Sequence, residues 1–199
     1  MYGPPGTGKT STVLAMAMEL FGKSFYKKRI LELNASDERG ISVVREKIKK
    51  FAQRKIAKNP EFDCPPIQII ILDEADSMTV DAQAALRRII EAYSTNTRFC
   101  IICNYISKII DPLASRCVKF RFSPINALSQ KERLQMICKN EEIQLESETV
   151  LDELIKIADG DLRRSINTLQ TCRSFAKGKK LSLDDIEKIS GVVPDKVIM

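Results

Sequence analysis

Three observations predict an α/β fold in two parts: a parallel sheet flanked by helices, followed by a small all-helical domain. A glycine-rich turn from Gly3 to Thr10 runs straight into helical periodicity, an aliphatic run from Ile67 to Leu72 ends in a cluster of carboxylates, and every periodic segment after Pro124 is helical. Strands covered on both faces by helices read as near-continuous apolar runs of this kind, whereas half-exposed strands alternate.

The turn Gly3-Pro4-Pro5-Gly6-Thr7-Gly8-Lys9-Thr10 meets the pattern G-x-x-x-x-G-K-[ST] at every constrained position. Its chemistry is that of a nucleoside triphosphate cradle. Glycines let backbone N–H groups turn inward around phosphates, Lys9 supplies a point charge to the outer phosphates, and the Thr10 hydroxyl ligates Mg²⁺ where a helix begins. A Gly/Pro turn ahead of a helix is the plain alternative. Only Met1 and Tyr2 precede Gly3, so the strand that launches such a loop is expected to be missing.

Ser11 to Phe21 carries Val13, Leu14, Met16, Ala17 and Leu20 at helical spacing, with Gly22 as its stop. Ile30 to Leu33 is a short strand, and Asn34-Ala35-Ser36-Asp37 is a polar turn that caps the next helix. That helix, about Ile41 to Ile56, puts Ile41, Val44, Ile48 and Phe51 on one stripe and Arg45 and Lys49, one turn apart, on a neighbouring face. A solvated face and a phosphate-binding face both fit this pattern. Asn59-Pro60 and Cys64-Pro65-Pro66 mark a surface loop before the chain enters the sheet.

The strand Ile67–Leu72 then delivers Asp73-Glu74-Ala75-Asp76 to the sheet edge, the second half of a nucleotide site. Asp73 is placed to help hold Mg²⁺ and Glu74 to polarise an attacking water. The chain has no histidine, so a general base must be a carboxylate or a lysine, and Glu74 is the best-placed candidate. Asp81 to Tyr93 is a helix with Ala82, Ala85, Leu86, Ile89 and Ile90 inward and Arg87-Arg88 outside; Thr97 to Cys103 is a strand ending in Asn104, a polar amide at a strand tip, where α/β sheets bind ligands. Asp111-Pro112 opens a helical turn, Ser115-Arg116-Cys117 follows, and Val118 to Phe122 reads as a last short strand. On the plain reading Arg116 pairs with a local carboxylate. Beyond Pro124 four helices are expected, about Ser129–Asn140, Ser147–Ala158, Leu162–Lys177 and Ser182–Ser190, with caps at Ser129-x-x-Glu132 and Ser182-x-x-Asp185.

Composition narrows the function classes. With 199 residues, 44% apolar and 29% charged, the chain has the make-up of an ordinary globular protein. No apolar run approaches the roughly 20 residues that span a bilayer, so no membrane partner is expected, and the first residues do not read as a signal peptide. The six cysteines are expected to be free, buried thiols, and Cys100 and Cys103, three apart on a strand, point to opposite faces rather than forming a metal or redox pair. Net charge is +6, but Arg39 to Lys58 holds eight basic residues against Glu46 alone, which suggests a polyanionic partner, nucleic acid before membrane.

Taken with Asn34-Ala35-Ser36-Asp37-Glu38-Arg39-Gly40-Ile41, Asn104, Ser115-Arg116-Cys117 and Gly160-Asp161-Leu162-Arg163-Arg164, the two halves of the nucleotide site strongly resemble those of replication factor C small subunits. These are parts of the eukaryotic sliding-clamp loader and belong to the AAA+ ATPases. The resemblance runs over nearly the whole chain. It implies a P-loop NTPase (AAA+) domain over residues 1–123 and a helical lid domain over 124–199, with ATP and Mg²⁺ bound. It also implies that Asn104 is a sensor that positions the attacking water, that Arg116 is an arginine finger acting on the neighbouring subunit's ATP, and that Arg163 is a sensor arginine from the lid. The implied partners are other clamp-loader subunits in a heteropentamer, the sliding clamp and primer–template DNA, with Arg45, Lys49 and Arg88 as candidates for DNA contact; the implied location is the nucleus. Against the family pattern, the strand and base-contacting segment before the loop and the C-terminal collar are expected to be absent, as in an N-terminally truncated ATPase module. A second, non-enzymatic reading is a nucleotide-binding adaptor, and a third is another DNA-acting AAA+ ATPase. A helicase of the Asp-Glu-Ala-Asp type needs a second α/β motor domain, which nothing after Pro124 supplies.

Overall fold

The computed structural model describes residues 1–36, 41–54, 56, 64–176 and 179–190, with 41–44 and 190 described by backbone alone. Asp37 of the expected capping turn, the stretch through Gly40, Arg39, Lys55 and Lys58 of the basic segment, Asn59-Pro60 and Lys177 lie outside the described residues. By its internal contacts the chain divides into two units, Met1–Gly3 with Gly8–Phe122, and Pro4–Thr7 with Ser123–Met199.

Among its described residues the first unit is built on three parallel strands in the order β1-β2-β3: β1 (Ile30–Asn34), β2 (Gln68–Asp73) and β3 (Thr97–Ile101). The central strand β2 is paired on both sides, Leu33 opposite Leu72 and Leu72 opposite Ile101. Its side chains alternate between two cores. Ile69 and Ile71 pack with Val13, Ala17 and Phe21 of helix α1 (Lys9–Phe21), whereas Ile70 and Leu72 pack with Ile48 and Phe51 of α3 (Ile41–Ala52) and Leu86 and Ile89 of α4 (Val80–Tyr93). Residues 69–72 are at most 2% exposed, which explains why the run lacks polar alternation. Each such side chain contributes about 1.5–3 kcal/mol when fully buried.

The same two-sided packing separates the C-x-x-C cysteines. Cys103 is buried in the core beneath α3 and α4, while Cys100 packs against the core beneath α1. All six cysteines are free, as expected, but only Cys103, Cys138 and Cys172 are buried; Cys64, Cys100 and Cys117 are half-buried. Burial pushes the Cys172 thiol up to about 11.

Several elements differ from the sequence-based expectation. A short helix, α2 (Tyr26–Arg29), precedes β1 and buries Arg29, whose guanidinium lies 5.6 Å from the Phe21 and Phe25 ring centroids while Nη1 donates to the Ile67 carbonyl at 2.9 Å. No periodic pattern announces four residues of helix. The expected strand over 118–122 is not one: it makes a single bridge, Arg121 to Tyr2, because Tyr2 is its one ladder partner among the described residues. Met1 and Tyr2, in turn, make strand-like backbone contacts. Tyr2 bridges Cys103 on one side and Arg121 on the other, Cys103 N–H donates to the Met1 carbonyl at 3.1 Å, and Phe122 N–H donates to the Tyr2 carbonyl at 2.8 Å. Two residues therefore hold the start of the glycine loop in register beside β3.

Among its described residues the second unit contains four helices, α6 (Ala127–Asn140), α7 (Thr149–Ala158), α8 (Leu162–Ala176) and α9 (Leu183–Ser190); the one-turn α5 (Asp111–Ala114) belongs to the first unit. Leu134, Leu151, Leu154, Leu169, Cys172 and Ile186 form its core. The expected cap of α9 is present as a reciprocal box: Ser182 Oγ accepts from Asp185 N–H at 3.3 Å, and Asp185 Oδ2 accepts from Ser182 N–H at 3.1 Å. The expected cap at Ser129 of α6 is corrected. Asn126 caps that helix, its Oδ1 accepting from Ser129 N–H at 2.8 Å, which lets the helix begin two residues earlier than Ser129.

Candidate functional site: a phosphate loop beside the sheet edge

Gly3 to Thr10 forms a loop whose turns demand glycine at particular positions. Gly3 has φ 147°, and a Cβ there would sit 2.1 Å from the Phe122 carbonyl oxygen, so no side chain fits. Gly8 has φ 87° and serves as the N-cap of α1, yet a Cβ added there meets nothing within 4 Å. The space over Gly8 is open and lies at the N-terminus of a 13-residue helix, where free N–H groups and the helix dipole favour an anion. Thr7 Oγ1 donates to the Pro4 carbonyl at 2.9 Å and closes the turn; Pro4 and Pro5 are exposed and Gly6 (φ 66°) is half-buried.

Lys9 is 8% exposed, and its ammonium donates to the Gly3 carbonyl at 2.8 Å and to Asn104 Oδ1 at 3.0 Å. Residues 95 positions apart thus meet at one cation. Thr10 Oγ1 donates to Asp73 Oδ2 at 2.6 Å, and Asp73 Oδ1 accepts from Glu74 N–H at 2.8 Å. The two expected metal-binding residues are therefore adjacent. Among the described residues no group of three or more His, Cys, Asp or Glu gathers into a metal cage. A hydroxyl and one carboxylate beside an anion cradle instead match how Mg²⁺ is held, with waters and substrate phosphates completing its shell.

Glu74 follows at the tip of β2 with φ 53°, a left-handed conformation uncommon for a residue with a side chain, and its side chain is exposed. The backbone that follows is tied down: Ala75 N–H donates to the Ile102 carbonyl at 3.0 Å and Ser77 N–H to the Glu74 carbonyl at 2.9 Å. Glu74 is thus exposed on a turn held by backbone hydrogen bonds on its C-terminal side.

Three residues outside the sequence-based set support these positions. Asp76 Oδ2 accepts from the backbone N–H groups of Asn104 (3.3 Å) and Tyr105 (3.2 Å), fixing the segment that carries the Asn104 amide to Lys9. Gln83, 1% exposed, donates from Nε2 to the Lys108 carbonyl at 2.9 Å and accepts at Oε1 from Ile110 N–H at 2.8 Å, pinning the loop between β3 and α5 to α4. A glutamine among inward-facing apolar positions of a helix was the available signal. Glu91 is the third. Its Oε1 accepts from Arg116 Nε at 2.7 Å and from Arg87 Nε at 3.2 Å, and Arg116 Nη1 also donates to the Pro112 carbonyl at 2.6 Å. Arg116 has a carboxylate partner, as the plain expectation holds, but one 25 positions away in the chain rather than nearby in sequence. The hydrogen bond from Arg87, together with Arg116, holds the Glu91 carboxyl below its ordinary pKa.

The remaining candidates are surface groups. Arg45 and Lys49 are exposed on α3, with no ion-pair partner among the described residues, whereas Lys50 pairs with Glu46 at 3.7 Å. Arg88 is exposed on α4, and Arg163 is exposed in the first turn of α8.

Comparison with known proteins places these features in context. Residues 1–125 match the family model of the ATPases associated with various cellular activities (AAA), and residues 132–174 match that of the RCF1/5-like AAA+ ATPase lid domain. The sequence is 53% identical to replication factor C subunit 2 of Saccharomyces cerevisiae, over 100% of this chain and 58% of that protein. It is 53% identical to replication factor C subunit 4 of Homo sapiens (99% of this chain, 54% of that protein) and 47% identical to the replication factor C small subunit of Aeropyrum pernix (98% and 57%). The chain thus spans a little over half the length of these relatives. A RuvB structure from Thermotoga maritima superposes with a TM-score of 0.68 over 96% of this chain and 60% of that one, at 14% identity, a likeness of fold.

Proposed function

The chain belongs to the AAA family of ATPases, and on that premise we propose that it binds and hydrolyses ATP as one subunit of a multi-subunit loader that places a ring-shaped sliding clamp on primer–template DNA. Identity of 47–53% to replication factor C subunits along nearly the whole chain supports the loader; the Thr10–Asp73 contact at 2.6 Å, beside Lys9 and the open space over Gly8, is the observation that carries the ATP chemistry. Residues 1–123 serve as the nucleotide-binding domain and 124–199 as the lid. The eukaryotic relatives' part in replication supports a nuclear location and a role in DNA replication and repair; no described helix is long and apolar enough to cross a membrane.

In this reading the backbone of Gly3–Thr10 and the Lys9 ammonium bind the phosphates, Lys9 exchanging its Gly3 carbonyl partner for a phosphate oxygen. Thr10 and Asp73 would hold Mg²⁺, which would neutralise charge on the phosphate oxygens. Glu74 accepts a proton from a water as its oxygen bonds to the γ-phosphorus and the bond to the ADP oxygen breaks. Asn104, braced by Asp76 and in contact with Lys9, orients that water. Arg163 meets the nucleotide of its own subunit from the lid, and Arg116 meets that of the neighbour, so that hydrolysis depends on assembly. Arg45, Lys49 and Arg88 contact DNA phosphates.

The test is ATP turnover with primed DNA and clamp, by the chain alone and with partner subunits. Stimulated turnover that Glu74→Gln abolishes is the expected result. Absence of turnover in every assembly, with ATP still bound, returns the chain to an adaptor role.

A further inference from the structure

Arg116 is a surface arginine, and free surface arginines sample many rotamers; ordering one costs up to about 2 kcal/mol of side-chain entropy. Here the side chain is held at two points. Its Nε donates to Glu91 Oε1 at 2.7 Å and one Nη1 proton to the Pro112 carbonyl at 2.6 Å. A guanidinium has five N–H donors in a fixed plane. The Nε–H points to the Nη2 side of the plane and Nη1 lies on the Cδ side, so the two anchors grip the guanidinium from opposite sides and leave the second Nη1 proton and both Nη2 protons for an anion. Glu91 is braced in turn by Arg87 one helical turn earlier, so the carboxylate sits between two guanidinium groups on α4 and beyond α5. Side-chain exposure of 37% for Arg116 and 44% for Glu91 marks the pair as surface groups whose contribution to folding is small, yet their geometry is that of a splint.

We propose that Glu91 is a positioning residue for Arg116: by gripping Nε it fixes the plane of the guanidinium, whose three remaining N–H donors serve the phosphate of a nucleotide bound to a neighbouring subunit. The inference rests on the reading of Arg116 as a group acting in trans. Through Glu91, helix α4, which also carries Gln83 and Arg88, sets the orientation of that arginine.

The experiment is a double-mutant cycle in a clamp loader assembled from full-length subunits, with clamp- and DNA-stimulated ATP turnover as readout. Arg116→Ala is expected to lower kcat at the site it serves by on the order of 10³-fold. Glu91→Gln, which keeps shape and removes charge, is expected to lower kcat by about 10-fold with KM for ATP little changed, because a misoriented group costs rate before it costs ground-state binding. In the Arg116→Ala background the Glu91 effect should vanish, and Glu91→Asp should restore part of the loss. The melting temperature of Glu91→Gln should stay within about 2 °C of the parent. Normal turnover for Glu91→Gln beside a crippled Arg116→Ala overturns the positioning role while leaving the trans arginine intact, as does an equal Glu91 effect in both backgrounds. Normal turnover for Arg116→Ala overturns both.

Discussion

Lys9 is a buried cation whose partners bear on its proposed role. A buried ammonium is costly unless hydrogen-bonded, and here the Gly3 carbonyl and the Asn104 amide oxygen are among its partners. Both are neutral, so a phosphate oxygen offers a stronger, charge-assisted bond in the same place. Lys9→Ala is therefore expected to raise the Kd for ATP by about 10- to 100-fold, the worth of one hydrogen bond to a charged group, as read by titration calorimetry. An unchanged Kd would show that the loop does not bind phosphate through this residue.

At the scale of single elements, caps and side-chain ties fix the ends of helices and loops. Helix α9 is only eight residues long and needs its capping box. The backbone N–H and then the hydroxyl of Ser182 hold the Asp185 carboxyl below its ordinary pKa. A depressed carboxyl stabilises the fold above the unfolded value of about 3.9, and that contribution is lost as pH falls through the folded value. Ser182→Ala should cost about 1 kcal/mol at neutral pH. The gap in melting temperature between the parent and Asp185→Asn should narrow as pH drops from 7 to 3; a constant gap would mean that the carboxylate charge plays no part in the cap. Gln83 does for a loop what the box does for a helix, since its single side chain ties residues on both sides of the segment between β3 and α5.

For the whole molecule, charge placement is the feature that bears on partners. Net charge is a modest +6, but α3 presents Arg45 and Lys49 to solvent without ion-pair partners among the described residues. If these meet DNA phosphates, reversing both to Glu should weaken binding of primed DNA by the assembled loader. It should also reduce the slope of log K against log salt by roughly 2, one counterion per lost contact. A slope equal to that of the parent would identify α3 as an ordinary solvated face.

Local pattern made much of this protein legible. The Gly3–Thr10 motif, the buried run of β2, the 3.6-residue stripes of α3 and α4 and the Ser182 cap all lie within a few residues of chain, where spacing alone dictates geometry. What stayed hidden depends on residues far apart in sequence. Gln83 finds Lys108 and Glu91 finds Arg116 across 25 positions, and Met1 and Tyr2 find their partners near residues 103 and 121, whereas the Thr10–Asp73 meeting across 63 positions is foreseeable only because the motif names both as metal holders. Periodicity says which face of an element is apolar, but strand order and helix packing bring a particular donor within 3 Å of a particular acceptor. The sequence thus names a phosphate cradle and its carboxylates, and the packing of β2, β3 and α4 sets which groups hold them, because a hydrogen bond needs a position and a direction that no one-dimensional pattern carries.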